Sequence, residues 1–262
     1  MEILRYKNAN IHFTSKGQGR VVVLLHGFLE NISMWDDIIL SLSEKYRVIS
    51  IDLLGHGKSE NIGYIHSMED QALMIKFVLD SLNLSRYVFI GHSMGGYVSL
   101  AFAQHFMENV KGLCLMNSTP LADSPEKKIN RERAIEAVKM NYKTFVRMAV
   151  PNLFAPYNLA KYKNEVDIII EQALQMQPQG IIGSLEGMKL RKNRVNELKK
   201  LKVPTQLIIG ENDGAIDIES TLKNIENTST EIIIFQDGHM SYIENKLELI
   251  ETLEHFVKKC YS

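Results

Sequence analysis

Short, almost solidly apolar runs recur along the chain at residues 21–25, 48–51, 87–90, 113–116, 207–209 and 232–235. A strand with one wet face alternates apolar and polar positions, so these runs predict strands buried on both faces. Between them, apolar positions repeat with helical period over 34–43, 68–82, 94–106, 218–225 and 246–259. Ser67, three residues before Asp70, has helix-capping spacing, and Ser33 is placed to cap the helix that carries Trp35. Two β-favouring segments, 2–7 and 11–14, flank the turn-prone Asn8-Ala9-Asn10 and predict an antiparallel hairpin. Strand and helix otherwise alternate, which predicts an α/β fold with a mostly parallel, doubly wound sheet.

From Pro120 to Val203 that alternation lapses into helical periods and turn residues, with only Ile168-Ile169-Ile170 ambiguous between strand and helix. The simplest organisation is one α/β core, residues 1–119 and 204–262, with 120–203 inserted as a helical lid near the carboxyl ends of the strands. Methionines adapt to variable apolar shapes, and Met148, Phe154 and Met188 are the expected lining of a substrate pocket under this lid. The basic run from Lys189 to Lys202 is expected to be solvated surface, because no aromatic residues interleave with it.

Composition narrows the partner class. Thirty Lys plus Arg against 31 Asp plus Glu give a formal charge of -1, so no global field exists to hold nucleic acid or an anionic membrane, and a small molecule is the expected partner. Cys114 and Cys260 are the two cysteines, too few for a disulfide framework or a cysteine metal site. Met1 to Lys7 lacks the pattern of a secretory leader, and no apolar run approaches the roughly 20 residues that cross a bilayer. The expected location is the cytoplasm; the oligomeric state is not legible.

Candidate chemistry concentrates at Gly91-His92-Ser93-Met94-Gly95-Gly96, between a predicted strand and a predicted helix. A G-x-S-x-G sequence in that context places its serine on a tight turn, with glycines where strand and helix backbones approach. No Walker lysine follows, so a phosphate loop is disfavoured. A serine hydroxyl needs a base and an acid that orients the base. His239 follows the last predicted strand through Gln236-Asp237-Gly238, where the base belongs. For the acid, Asp213 in Gly210-Glu211-Asn212-Asp213-Gly214 fits best, with Glu211 and Asp217 as competitors.

These motifs together resemble the α/β-hydrolase-fold serine hydrolases over essentially the whole chain. His26-Gly27-Phe28 is similar to the family's oxyanion loop, Asp52-Leu53-Leu54-Gly55-His56-Gly57-Lys58-Ser59 to its D-x-x-G-H-G-x-S signature, and residues 91–96 to its nucleophile elbow. The resemblance implies a Ser93–His239–Asp213 triad, an oxyanion hole from the backbone N–H groups of Phe28 and Met94, and no cofactor or metal. It is nearest to the small carboxylesterase and enol-lactone-hydrolase branch, whose substrates are small esters. Two departures are visible: Gly214-Ala215-Ile216-Asp217 lacks a proline common in relatives, and Tyr97 stands where menaquinone-pathway synthases carry arginine. The alternatives on the same triad are carbon–carbon bond hydrolysis or a lyase reaction, in which Arg191 or Arg194 would meet a carboxylate, or a small-molecule receptor.

Overall fold

A computed structural model describes residues 2–262. Eight strands form one sheet in the order β1-β2-β4-β3-β5-β6-β7-β8. They are β1 (Glu2–Tyr6), β2 (Ala9–Lys16), β3 (Val21–Leu25), β4 (Arg47–Ile51), β5 (Tyr87–His92), β6 (Val110–Met116), β7 (Thr205–Gly210) and β8 (Glu231–Phe235). Strands β3 to β8 pair in parallel, while β1 and β2 join antiparallel at one edge. The hairpin is tighter than the sequence suggested: Tyr6 pairs with Ala9, and Lys7 and Asn8 both adopt positive φ, the two-residue turn whose twist matches that of the strands.

Period two explains the apolar runs. Val22, Leu24, Val88, Ile90, Cys114, Met116 and Ile208 face one core layer with Trp35, α1 (Asp36–Leu42) and α10 (Lys246–Tyr261). Their neighbours Val23, Leu25, Phe89, Leu113, Leu115, Leu207 and Ile209 face the other, against α2 (Met68–Ser81) and α3 (Met94–His105). Helices on both faces leave these strands no wet side. Strand β8 departs from the expectation of two buried faces, since Ile232 and Ile234 are exposed at the sheet edge.

Two caps were read with different success. The Ser67 side chain accepts from the Asp70 N–H and starts α2, as its spacing suggested. Ser33 does not cap: Asn31 does, accepting from the Ser33 N–H at the start of a short 3-10 turn that leads into α1.

Between β6 and β7 the chain forms α4 (Pro125–Ala149), α5 (Lys163–Ala173), α6 (Pro178–Lys189) and α7 (Val195–Lys200). Ile168 to Ile170 belong to α5. Asn141 has extended backbone inside α4, and its side chain accepts from the Thr144 N–H to start the second half. The remaining helices are α8 (Ile218–Ile225) and α9 (Ser241–Glu244). Among the described residues, no helix is long and apolar enough to cross a membrane.

Helix α3 lies almost on the sheet. A Cβ at Gly95 would stand 2.1 Å from the Leu25 carbonyl oxygen, and one at Gly91 would stand 2.5 Å from the Gly95 backbone. Backbone on both sides leaves no side chain to yield, so Gly95→Ala should lose about 3 kcal/mol of stability or fail to fold, read from its urea unfolding midpoint. A wild-type midpoint in this variant would show that α3 can retreat from the sheet.

Candidate active site

Four loops converge at the carboxyl ends of the parallel strands, the place where open α/β sheets bind ligands. Phe28 follows β3, Ser93 follows β5, Asp213 follows β7 and His239 follows β8. Ser93 is held at φ 49 and ψ -113, a left-handed conformation that costs a non-glycine residue about 1–3 kcal/mol. Its N–H donates to the Met116 carbonyl at 2.9 Å, and its carbonyl accepts from the Gly96 N–H and the Ser118 hydroxyl. The strain therefore persists under several restraints. Met94 opens α3, so its N–H has no intrahelical acceptor.

The acid competition has a geometric answer. Asp213 Oδ2 lies 2.7 Å from His239 Nδ1, while Asp213 Oδ1 accepts from the Ala215 and Ile216 N–H groups at 2.8 and 3.1 Å. Burial alone would raise this carboxyl's pKa, but the His239 ring and these donors hold it below the ordinary range. Asp217 instead caps α8 through the Ser220 N–H, and Glu211 is exposed. Asn117, which the sequence reading passed over, adopts positive φ just beyond β6 and donates to both Asp213 Oδ2 and the Gly238 carbonyl at 3.2 Å.

Ser93, His239 and Phe28 line one cavity of about 270 Å³, together with Tyr97, Leu153, Leu185, Met188 and residues from the start of α4. Of the three expected pocket residues, only Met188 reaches it. Met148 is 66% exposed on the outer side of α4, because helical spacing turns it away from the sheet. Phe154 is buried, but in the main core against the Gly238 turn. Arg191 and Arg194 are not free to meet a carboxylate, and neither is solvated surface. Arg191 is buried on Asp123, the Leu121 carbonyl and the face of Tyr97, and Arg194 on Glu69 and Gln104.

Residues 20–157 match the family model described as the α/β hydrolase fold. The chain belongs to that family. This α/β hydrolase is 29% identical to a 2-hydroxy-6-oxononadienedioate/2-hydroxy-6-oxononatrienedioate hydrolase of Escherichia coli O139:H28, over 91% of this chain and 88% of the relative. A thermophilic esterase from Thermogutta terrifontis superposes with a TM-score of 0.91 at 27% identity, covering 97% of this chain and 95% of that one. The enol-lactonase of Burkholderia xenovorans LB400 has the same fold, with a TM-score of 0.90 at 21% identity over 98% of this chain and all of that one, 100%.

The D-x-x-G-H-G-x-S signature of the α/β hydrolase is a loop fastener. Asp52 accepts from the Ile32 and Lys58 N–H groups and meets the His12 ring at 2.7 Å. A Cβ at Gly57, which has φ 53, would stand 2.3 Å from that carboxylate. His56 is buried, which pushes its pKa down to about 3 and keeps the ring neutral. His26 is likewise lowered by burial, and its Nε2 accepts from the Leu53 N–H.

Beneath the loop of residues 26–28 sits a buried pair that the sequence reading did not single out. Glu30 Oε2 accepts from the Gly27 N–H at 2.7 Å and from His92 Nδ1 at 2.8 Å, and His92 Nε2 donates to the His239 carbonyl at 2.9 Å. The His239 carbonyl can only accept, and so can Glu30 when ionised, so an imidazolium against a carboxylate satisfies the set. Burial opposes both charges, yet Glu30 raises the His92 pKa above 6.5 and His92 lowers that of Glu30 below 4.5. The available signal was position: His92 lies inside the elbow motif and Glu30 two residues past Phe28.

The signs of these shifts fix a pH window. The Glu30 contribution is full above pH 4.5 and drains as pH falls through its lowered value; the His92 contribution is full below pH 6.5 and drains as pH rises through its raised value. Glu30→Gln should therefore cost about 3 kcal/mol or more, with the gap to wild type widest between those limits and narrowing on either side. Urea unfolding across pH checks this, and a gap flat with pH would mean that the pair is uncharged.

Proposed function

We propose that this α/β hydrolase is a cytoplasmic, cofactor-independent carboxylic-ester hydrolase acting on small esters. The observation that carries this reading is the 2.7 Å contact of Asp213 with His239 Nδ1, on a ring that shares its cavity with the strained Ser93. With Nδ1–H donated to Asp213, Nε2 is left as the proton acceptor. Ser93 Oγ adds to the acyl carbonyl as Nε2 takes its proton. The tetrahedral oxyanion is met by the Phe28 and Met94 N–H groups, and the proton passes to the departing alkoxide. Water, deprotonated by the same nitrogen, then releases the acid and restores Ser93. A cavity of about 270 Å³, beneath residues 120–203 acting as a lid, suits a small acyl or alcohol group.

A second reading, carbon–carbon bond hydrolysis by the same three residues, is favoured by the likeness to the Escherichia coli 2-hydroxy-6-oxononadienedioate hydrolase. Side-by-side turnover of p-nitrophenyl esters and a 2-hydroxy-6-oxo-dienoate separates the two. Under the ester reading, a fluorophosphonate labels Ser93 alone. Ser93→Ala and His239→Ala each remove nearly all esterase activity, and the double variant is hardly worse than either, because the residues act as a unit. Additive losses would refute a shared mechanism. In the acyl-length series, Met188→Ala should shift the preference between short and long chains about tenfold, while Met148→Ala should not.

A further inference from the structure

The walls of the Ser93 cavity are apolar at Phe28, Leu153, Leu185 and Met188, but the first turns of α4 contribute Lys127, Asn130 and Arg131 to the same lining. Their charges are incompletely answered. Asp123, buried at the base of α4, is shared by the guanidinium groups of Arg131 and Arg191. One carboxylate thus serves two cations, and Arg131 meets it through Nε and Nη2, which leaves Nη1 outside that contact.

Lys127 is half-buried, and its Nζ donates to the Ala215 carbonyl at 2.9 Å. No carboxylate lies within ion-pair distance of it among the described residues. Asp123 and Asp217 act on it from farther away, but Asp123 is shared by two guanidinium groups and Asp217 is engaged at the α8 N–H of Ser220. Burial lowers the Lys127 pKa, with the neighbouring guanidinium groups adding to the effect. An ammonium placed against an apolar cavity with no carboxylate in contact is stabilised by an anion delivered there, since low local polarity strengthens the attraction.

We propose that the substrate is an ester bearing a carboxylate, which binds Lys127 with Asn130 and Arg131 beside it while the ester carbonyl lies at Ser93. This rests on the reading of the Ser93 cavity as the site of acyl transfer. A carboxylate matches better than a dianionic phosphate, because a single ammonium is uncommitted and the cavity is small. Tyr97 does not oppose the assignment: its ring is covered by Arg191, whose guanidinium carbon stands 4.1 Å from the ring centroid. Positive charge therefore reaches this wall from α4 rather than from the elbow.

Two pairs of esters test the proposal and locate the charge. In p-nitrophenyl hemiglutarate against p-nitrophenyl pentanoate the carboxylate is on the acyl side; in 4-acetoxybenzoate against 4-acetoxybenzamide it is on the leaving group. In one pair the charged ester should be preferred by about tenfold or more in kcat/KM. Lys127→Gln should abolish that preference, and Lys127→Arg should retain most of it. No preference in either pair, or one that survives Lys127→Gln, overturns the proposal. If no ester is turned over, the esterase reading fails separately, and calorimetry of glutaramate against glutaramide on Ser93→Ala protein decides the anion site. Glutaramate binding at least about tenfold tighter than glutaramide, lost in the Lys127→Gln background, supports it; equal binding overturns it.

Discussion

The close approach of α3 to the sheet is the constraint on which the rest depends. Because Gly91 and Gly95 carry no Cβ, the chain can turn from β5 into α3 within a few residues, and only a left-handed Ser93 completes so sharp a turn. That turn lifts the serine side chain above the strand ends and leaves the opening N–H of the helix beside it. The two core layers then fix how far the strands and helices can shift. A serine held by packing on both faces of a sheet would need little further ordering before reacting.

Around this centre, buried carboxylates hold the connecting loops. Asp52 ties the loop after β4 to the turn that follows β3, Glu30 closes the loop after β3, and Asp213 shapes the loop after β7. Glu244 does the same for the loop after β8, accepting from the Gly238 and Met240 N–H groups. Asp52, Asp213 and Glu244 each accept from two or more main-chain N–H groups and Glu30 from one together with the His92 ring, which satisfies the buried carboxyl and fixes its loop. Two of the four meet rings that line the Ser93 cavity, Glu30 at His92 and Asp213 at His239, and the His92 ring has both its nitrogens engaged. The cluster reads as one construction principle applied four times, with chemistry added at a single place.

Much of this was legible in the sequence, for identifiable reasons. Strands buried on both faces leave solid apolar runs, and a glycine-flanked serine between strand and helix has few other uses. Position along the chain located Asp213 and His239, and geometry then separated Asp213 from Asp217. What failed was the direction of side chains in the helical segment. Met148 and Met188 look alike in sequence, and only the packing of α4 and α6 turns one outward and the other toward Ser93. Strand β8 misled because an apolar run does not reveal whether a strand sits at the edge. Glu30 and His92 were unread because buried ion pairs have no spacing signature: their partners are brought together by the fold, 62 positions apart.

Glu244 carries a mechanical consequence. Its Oε2 holds the loop bearing His239, while its Oε1 accepts from the Ala155 N–H and the Asn158 side chain, in the helical segment between β6 and β7. Residues 155–158 lie midway along that segment, so one buried side chain fastens its middle to the loop that carries His239. The helical segment and the His239 loop therefore share one anchor, and a substitution at Glu244 would loosen both together.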